Sequence, residues 1–204
     1  MSRLTARNAV SELVKEGYLY RVHGQGTFVS KPRVETSYSR FTGFMEDMRK
    51  RGYRTHSKVL EASEISASSE LQEVLQLGKK ERVYKIARLR FANDEPIVIQ
   101  EAYLPSKMCP GIIEEDLENN SLYEIMGKKY GIFIDHASDR LEAISATGEQ
   151  AEQLGINEGN PVLYFNRISF LKDETPVEFA KSWYRGDRYV FEIELRKSQE
   201  EKNL

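Results

Sequence analysis

The chain has 204 residues, 40% of them hydrophobic and 30% charged, with a formal net charge of −2. That length allows one full domain plus a fragment. The single cysteine, Cys109, excludes an intramolecular disulfide and fits a reducing cytoplasm, where a buried, neutral thiol is expected. No apolar run approaches the ~18 residues of a membrane span, and charges interrupt the N-terminus where a signal peptide needs an apolar stretch.

The net charge conceals an asymmetry. Residues 1–33 hold six basic side chains (Arg3, Arg7, Lys15, Arg21, Lys31, Arg33) against Glu12 and Glu16, net +4. The remainder then carries 24 basic and 30 acidic residues, net −6. A basic head on an acidic body confines any nucleic-acid contact to the head.

In chain order, Ala6, Val10, Leu13 and Val14 fall at i, i+4, i+7 and i+8, one apolar face of a helix, and Gly17 follows where a C-cap glycine belongs. Two short apolar runs, Tyr18–Tyr20 and Thr27–Val29, flank the glycine-rich connection Arg21–Gly26 and read as a hairpin. Lys31-Pro32 ends it, because proline cannot extend a paired strand. Residues 34–40 are polar and read as a linker.

A helix is expected at about Thr42 to Arg51. The following residues contain an internal repeat. Leu60-Glu61-Ala62, Leu77-Gly78, Val83–Phe91 and Asp94-Glu95-Pro96-Ile97-Val98 recur as Leu141-Glu142-Ala143, Leu154-Gly155, Val162–Phe170 and Asp173-Glu174-Thr175-Pro176-Val177. Two copies this alike imply two similar folding units related by a pseudo-twofold axis. Each copy reads as strand, short helix, strand, turn, strand. Ser68 or Ser69 and Thr147 are N-cap candidates, and Leu71, Val74 and Leu75 form the first helix's apolar face. Strands are predicted at Val83–Phe91, Pro96–Leu104, Val162–Leu171 and Val177–Tyr184, with turns at Asn93-Asp94 and Lys172-Asp173. A helix over Leu122–Tyr130 follows the first hairpin. A last strand, Tyr189–Leu195, is expected to close the sheet, and the charged tail 197–204 to fray. The fold class is α+β: a mostly antiparallel sheet with helices on one side.

The residues Ser2–Val10, Leu13–Gly17 and His23–Val29, in that order, resemble the C-terminal half of a GntR-type winged helix. The resemblance implies a helix in the major groove of a double-stranded DNA operator, with Arg3, Thr5 and Arg7 as contacts. It lays the wing tip, His23, Gly24, Gln25 and Gly26, along the minor groove. Arginine binds guanine bidentately, and a glycine tip lets backbone N–H groups approach phosphates. The alternative for Arg3 and Arg7 is a solvated helix face. The family places about two further helices ahead of the recognition helix, and this sequence starts within the third. We therefore expect an incomplete start, the alternative being a regulator remnant that binds DNA poorly. Val10, Leu13 and Val14 then forgo roughly 1.5–3 kcal/mol per buried aliphatic side chain.

The body, Ser39 to Leu195, resembles the UTRA effector-binding domain of HutC-branch GntR regulators, which has a chorismate-lyase-like fold. The carriers are Arg88–Pro96 and Glu178–Tyr189. The resulting division is a partial winged helix over 1–33, the linker, and the UTRA domain over 41–196. The resemblance implies a homodimeric transcription regulator, a repressor, sensing a small anionic effector, most often a sugar phosphate. Arg88 and Arg90 lie two apart on a strand and share a face, and arginine's planar fork suits phosphate or carboxylate oxygens. Ser121 and Tyr123 at a helix start, Thr42, Gly43 and Phe44 at another, Glu178, Tyr184 and Gln100 complete the expected site. Gln100 stands where the family often has glutamate.

Other readings stay open at this point. Arg90 could pair instead with Glu101 or Glu178. Arg167 takes the Arg88 position of the second repeat, but Ser169 replaces the second arginine, so one anion site per chain is expected. Tyr84 and Trp183 read as pocket walls or core aromatics, and Arg185–Arg188 as an internally paired turn. His23, His56 and His136 lie in separate segments, and His136 beside Asp135 reads as a surface pair. With no nucleophile–base pair, metal-ligand cluster or catalytic carboxylate pair, neither an enzyme nor a cofactor is expected. The rival to the regulator is a stand-alone sensor with a vestigial head; a lyase-like enzyme comes third.

Overall fold

The structure, a computed structural model, describes residues 2–16, 18–29, 34–37 (backbone) and 43–193. It divides into two units, Met1–Val34 and Glu35–Leu204.

In the first unit, α1 spans Arg3–Lys15. Ser2 caps it, its hydroxyl accepting from the Thr5 amide at 3.2 Å. The expected C-cap glycine, Gly17, lies outside the described residues, and the helix turns off at Glu16. β1 (Leu19–Val22) pairs antiparallel with β2 (Gly26–Val29), so only His23–Gln25 form the wing turn. Gly24 (φ 75°) and Gly26 (φ 131°) hold backbone values that side chains resist. Arg21 ties wing to helix through the Ser11 hydroxyl at 3.0 Å, and Tyr20 stacks on Phe28. No residue of α1 is buried.

In the second unit, six antiparallel strands run in the order β4-β5-β6-β9-β8-β7. They are β4 (Thr55–Ser66), β5 (Arg82–Ala92), β6 (Glu95–Pro105), β7 (His136–Ser145), β8 (Pro161–Phe170) and β9 (Pro176–Arg185). The order is that of two three-stranded copies joined edge to edge at β6 and β9, the arrangement expected of the repeat. Asn93 (φ 47°) and Asp94 (φ 64°) form a two-residue hairpin turn with positive φ at both positions, which asparagine and aspartate tolerate. Between the first two strands of each copy runs a short helix. Ser68 caps α3 (Ser69–Val74), and Thr147 caps α5 (Gly148–Leu154) in a reciprocal capping box with Gln150. α2 (Phe44–Lys50) opens the unit, and α4 (Leu122–Tyr130) occupies its predicted span.

Two expectations need correction. Helices cover both faces of the sheet, not one. Tyr84, Ile86, Ala102 and Leu104 pack with Leu122, Ile125 and Met126 of α4, whereas Leu89, Ile99 and Val162 pack with Ala151 and Leu154 of α5. Val83 and Phe179 likewise meet Leu71 of α3. Strands apolar on both faces, as β5 is, require two covering layers. The last strand does not close the sheet either. β10 (Tyr189–Glu192) pairs with β3 (Val34–Ser37), a strand within the segment read as linker, in a separate two-stranded ribbon. Aromatic burial explains this: Tyr189 packs tilted on Tyr184 at 4.4 Å between ring centroids, Phe191 meets Tyr184 edge-on at 5.5 Å, and Phe191 packs tilted on Phe165 at 4.1 Å. Those contacts lay β10 against side chains of the sheet's face, away from its edge.

Candidate functional site

The strand register builds the site. One row crosses the sheet as Arg88, Gln100, Ser182 and Phe165; its neighbour runs Ile86, Ala102, Ala180, Arg167 and Asp139. Alternation puts all of these side chains on the face that α4 covers. Ala102, Ala180 and Ser182 of the middle strands β6 and β9 are small, while Arg88 on β5 and Arg167 on β8 are the long polar side chains that flank them. The result is a low floor between high polar walls.

Arg88 and Arg90 form one wall, 1% and 4% exposed. Arg88 donates to the Leu117 carbonyl at 3.3 Å, and Arg90 to the Gln100 side-chain oxygen at 2.6 Å. Gln100 in turn donates to the Ser182 hydroxyl at 3.3 Å. The Phe44 ring lies against the Arg90 guanidinium at 4.8 Å, a cation–π contact. The Nε atoms of both arginines are buried without a hydrogen bond, as is the hydroxyl of Ser57, which stands opposite Arg90 on β4. Burial lowers the proton affinity of both guanidiniums: Arg90 falls to about 10, and Arg88, further opposed by the charge of Arg90, lies well below its ordinary value. Guanidinium nevertheless stays protonated at neutral pH. Two desolvated cations therefore sit side by side, an arrangement that an anion relieves.

The alternative pairing of Arg90 with Glu101 or Glu178 is not formed among the described residues. Glu101 points to the other face, where it accepts from Tyr103 at 2.8 Å and lies 3.7 Å from Lys85. Glu178, 1% exposed, accepts at one oxygen from the hydroxyls of Tyr123 (2.6 Å) and Ser169 (2.8 Å). Burial, then Glu178, pushes the Tyr123 phenol up, keeping it a donor. Ser121 is the N-cap of α4, but its hydroxyl makes no capping bond. A Cβ at Gly43 would lie 3.2 Å from the Tyr123 ring and 3.4 Å from the Ser121 oxygen, so glycine lets the start of α2 close on the start of α4. Tyr184 lies in the field of both Arg167 and Arg90. Thr42 lies outside the described residues.

The structure thus brings Arg88, Arg90, Gln100, Ser121, Tyr123, Glu178, Tyr184, Gly43 and Phe44 around one floor. Sequence reasoning missed Ser57, Ser169, Ser182 and the Arg167–Asp139 pair. The repeat did carry a signal for two of them, since Arg167 and Ser169 replace Arg88 and Arg90 in the second copy. Trp183 is not a wall of this site: it joins the cluster with Leu89 and Ile99 on the opposite face, stacked on Tyr164. Tyr84 belongs to the core with Ile86 and Leu104. Arg185 forms the expected internal pair with Asp187 and also meets Glu95. Cys109 is fully buried, and burial raises its thiol to about 12. In the head, Arg3, Thr5 and Arg7 sit exposed on the first turns of α1, and His23–Gly26 form the wing tip.

The UTRA domain family matches residues 50–190. The chain is a GntR-type regulator of the UTRA family. It is 41% identical over 191 residues to the HTH-type transcriptional repressor NagR of Bacillus subtilis, covering 94% of this chain and 78% of that protein. Identity to the mannosyl-D-glycerate transport/metabolism system repressor MngR of Escherichia coli is 30% over 193 residues, 95% of this chain and 80% of that one. The crystal structure of PhnF from Mycobacterium smegmatis superposes with a TM-score of 0.76 at 26% identity, covering 96% of this chain and 86% of PhnF. For this GntR-type chain, the helix and wing of the first unit are accordingly the parts of a DNA-binding head, and the two-faced sheet is its UTRA domain. Among the described residues no helix is long and apolar enough to cross a membrane.

Proposed function

We propose that this protein is a cytoplasmic, homodimeric repressor whose UTRA domain binds a small phosphorylated sugar and whose head binds a DNA operator. The observation that carries the reading is the pair of buried, adjacent guanidiniums facing a small-residue floor, with one Nε on each lacking a hydrogen bond. A phosphate supplies the missing acceptors and counter-charge together. Glu178, Tyr123, Gln100 and Ser182 are suited to hydroxyl groups, which both donate and accept. The relative named a mannosyl-D-glycerate transport/metabolism system repressor supports a sugar-derived effector. Arg3, Thr5, Arg7 and the wing tip contact DNA. Effector and operator then favour different arrangements of the protein, coupled by roughly 1–3 kcal/mol in both directions.

The test is fluorescence anisotropy with DNA from upstream of the protein's own gene, at two salt concentrations, with and without a panel of hexose 6-phosphates. The expected result is salt-dependent binding that one sugar phosphate weakens about tenfold. Binding indifferent to every phosphate ester, together with no phosphate binding by calorimetry, refutes the reading.

A further inference from the structure

The wall opposite Arg88 and Arg90 is built as carefully as the anion wall itself. Arg167 occupies the place in the second repeat that Arg88 holds in the first, and β-strand alternation turns it to the same face of the sheet, two residues from Ser169. Ser169 donates to Glu178, which fixes that face as the site's. Asp139, directly across from Arg167 on β7, takes its Nε and one terminal nitrogen in a two-pronged pair, each at 2.8 Å. The row from Arg167 towards the anion wall passes over Ala180 and Ala102, the smallest side chains of the floor. β5 and β8 stand three inter-strand spacings apart, about 14 Å. Tyr123 and Ser169 both donate to Glu178, and Ser169 lies two residues from Arg167 along the same face, which sets the Arg167 wall beside the groups of the site.

Resting on the anion-site reading above, we infer that Arg167, oriented by Asp139, is the specificity-determining contact for the end of the effector remote from its phosphate. The two walls differ in charge, and the difference assigns their roles. Among the described residues no carboxylate is bound to Arg88 or Arg90, so they demand an anion. Arg167 arrives with its own carboxylate, so this wall is electrically neutral and offers a donor beside an acceptor. Such a pair suits adjacent hydroxyls or an amide, and penalises a second charged group. The effector class is a singly phosphorylated polyol or sugar with a neutral, hydroxyl-rich far end, and not a bisphosphate.

Calorimetry on the full chain tests this with three probes: inorganic phosphate, a set of hexose 6-phosphates, and fructose 1,6-bisphosphate. The wild type is expected to bind its best hexose phosphate at least about tenfold tighter than inorganic phosphate. Replacing the pair by apolar residues of similar bulk, Arg167→Met with Asp139→Leu, is expected to preserve folding, as such replacements commonly do. It should collapse that ratio to within about threefold. Arg167→Lys, which keeps the ion pair but loses the planar fork, should reduce the ratio part-way. Asp139→Asn, which leaves the wall cationic, should improve the bisphosphate relative to the monophosphate. The inference is overturned if the folded double variant or, should that variant melt early, Arg167→Lys and Asp139→Asn keep the wild-type ratios. A wild type that binds inorganic phosphate but no ester more tightly overturns the inference alone. A wild type that binds no phosphate species overturns the anion site as well.

Discussion

Gln100 gives the sharpest test of the electrostatic account, because one atom's change alters the charge of the buried site without altering its shape. In the wild type two buried cations, Arg88 and Arg90, face one buried carboxylate, Glu178. The Arg167–Asp139 and Arg51–Asp47 pairs are each internally neutral. Gln100 accepts from Arg90 at 2.6 Å as a neutral amide. Gln100→Glu places a carboxylate at the same position and supplies the counter-charge that a ligand otherwise brings. Two consequences of opposite sign follow. Without ligand, a hydrogen bond from a cation to a neutral amide becomes an ion pair, and after the desolvation of the new carboxylate the gain is about 1 kcal/mol. That raises the melting temperature by roughly 2–4 °C in a chain of this size. With ligand, a bound anion lies about 6 Å from the new charge, and at an effective dielectric of about 20 the repulsion is near 3 kcal/mol per unit of ligand charge. Affinity for inorganic phosphate or a phosphate ester should therefore fall about 100-fold for each unit of charge the ligand carries. Differential scanning fluorimetry without ligand and isothermal titration calorimetry with phosphate read the two effects separately. A variant that binds phosphate as tightly as the wild type, or more tightly, refutes the assignment of Arg90 as an anion contact.

Two further outcomes are expected. Cys109 should resist thiol-specific disulfide reagents at pH 8 in the folded protein and release one equivalent on denaturation, because burial raises its pKa to about 12. The sign carries over to stability: between the unfolded thiol's pKa and about 12 the unfolded state sheds a proton that the folded state retains, so this contribution is lost as pH rises through that window. Thr147→Ala removes one half of the capping box of α5 and should cost about 1 kcal/mol, seen as a lower urea midpoint with an unaltered slope. A changed slope would mean that the helix end organises more of the unit than its cap.

Much of the architecture was legible because local chemistry carried it. Ser68, Thr147 and Asn93-Asp94 announced helix starts and a hairpin by side-chain geometry, and α4 fills the span Leu122–Tyr130 expected for it. The duplication gave the sheet its halves before any strand was placed. The anion wall was legible for the same reason, since two arginines spaced by two on a strand must share a face. What periodicity left open was which face, and what else lay on it. Strands such as β5 are apolar on both sides, so alternation alone assigns neither side to the site, nor does it foretell helices over both.

Only the tertiary structure decided the rest, and it did so through register. Pairing β6 with β9 sets Gln100 beside Ser182 and Ala102 beside Ala180, residues about eighty positions apart. Pairing β7 with β8 gives Arg167 its Asp139. Packing of Tyr189 and Phe191 on Tyr184 and Phe165 draws β10 away from the sheet's edge, an outcome that depends on which aromatic side chains end on the same face. The sequence by itself determined most of the elements, the repeat and the family. The neighbours of each buried charge, and hence the site's demand for an anion at one wall and neutrality at the other, were set by contacts that no local pattern encodes.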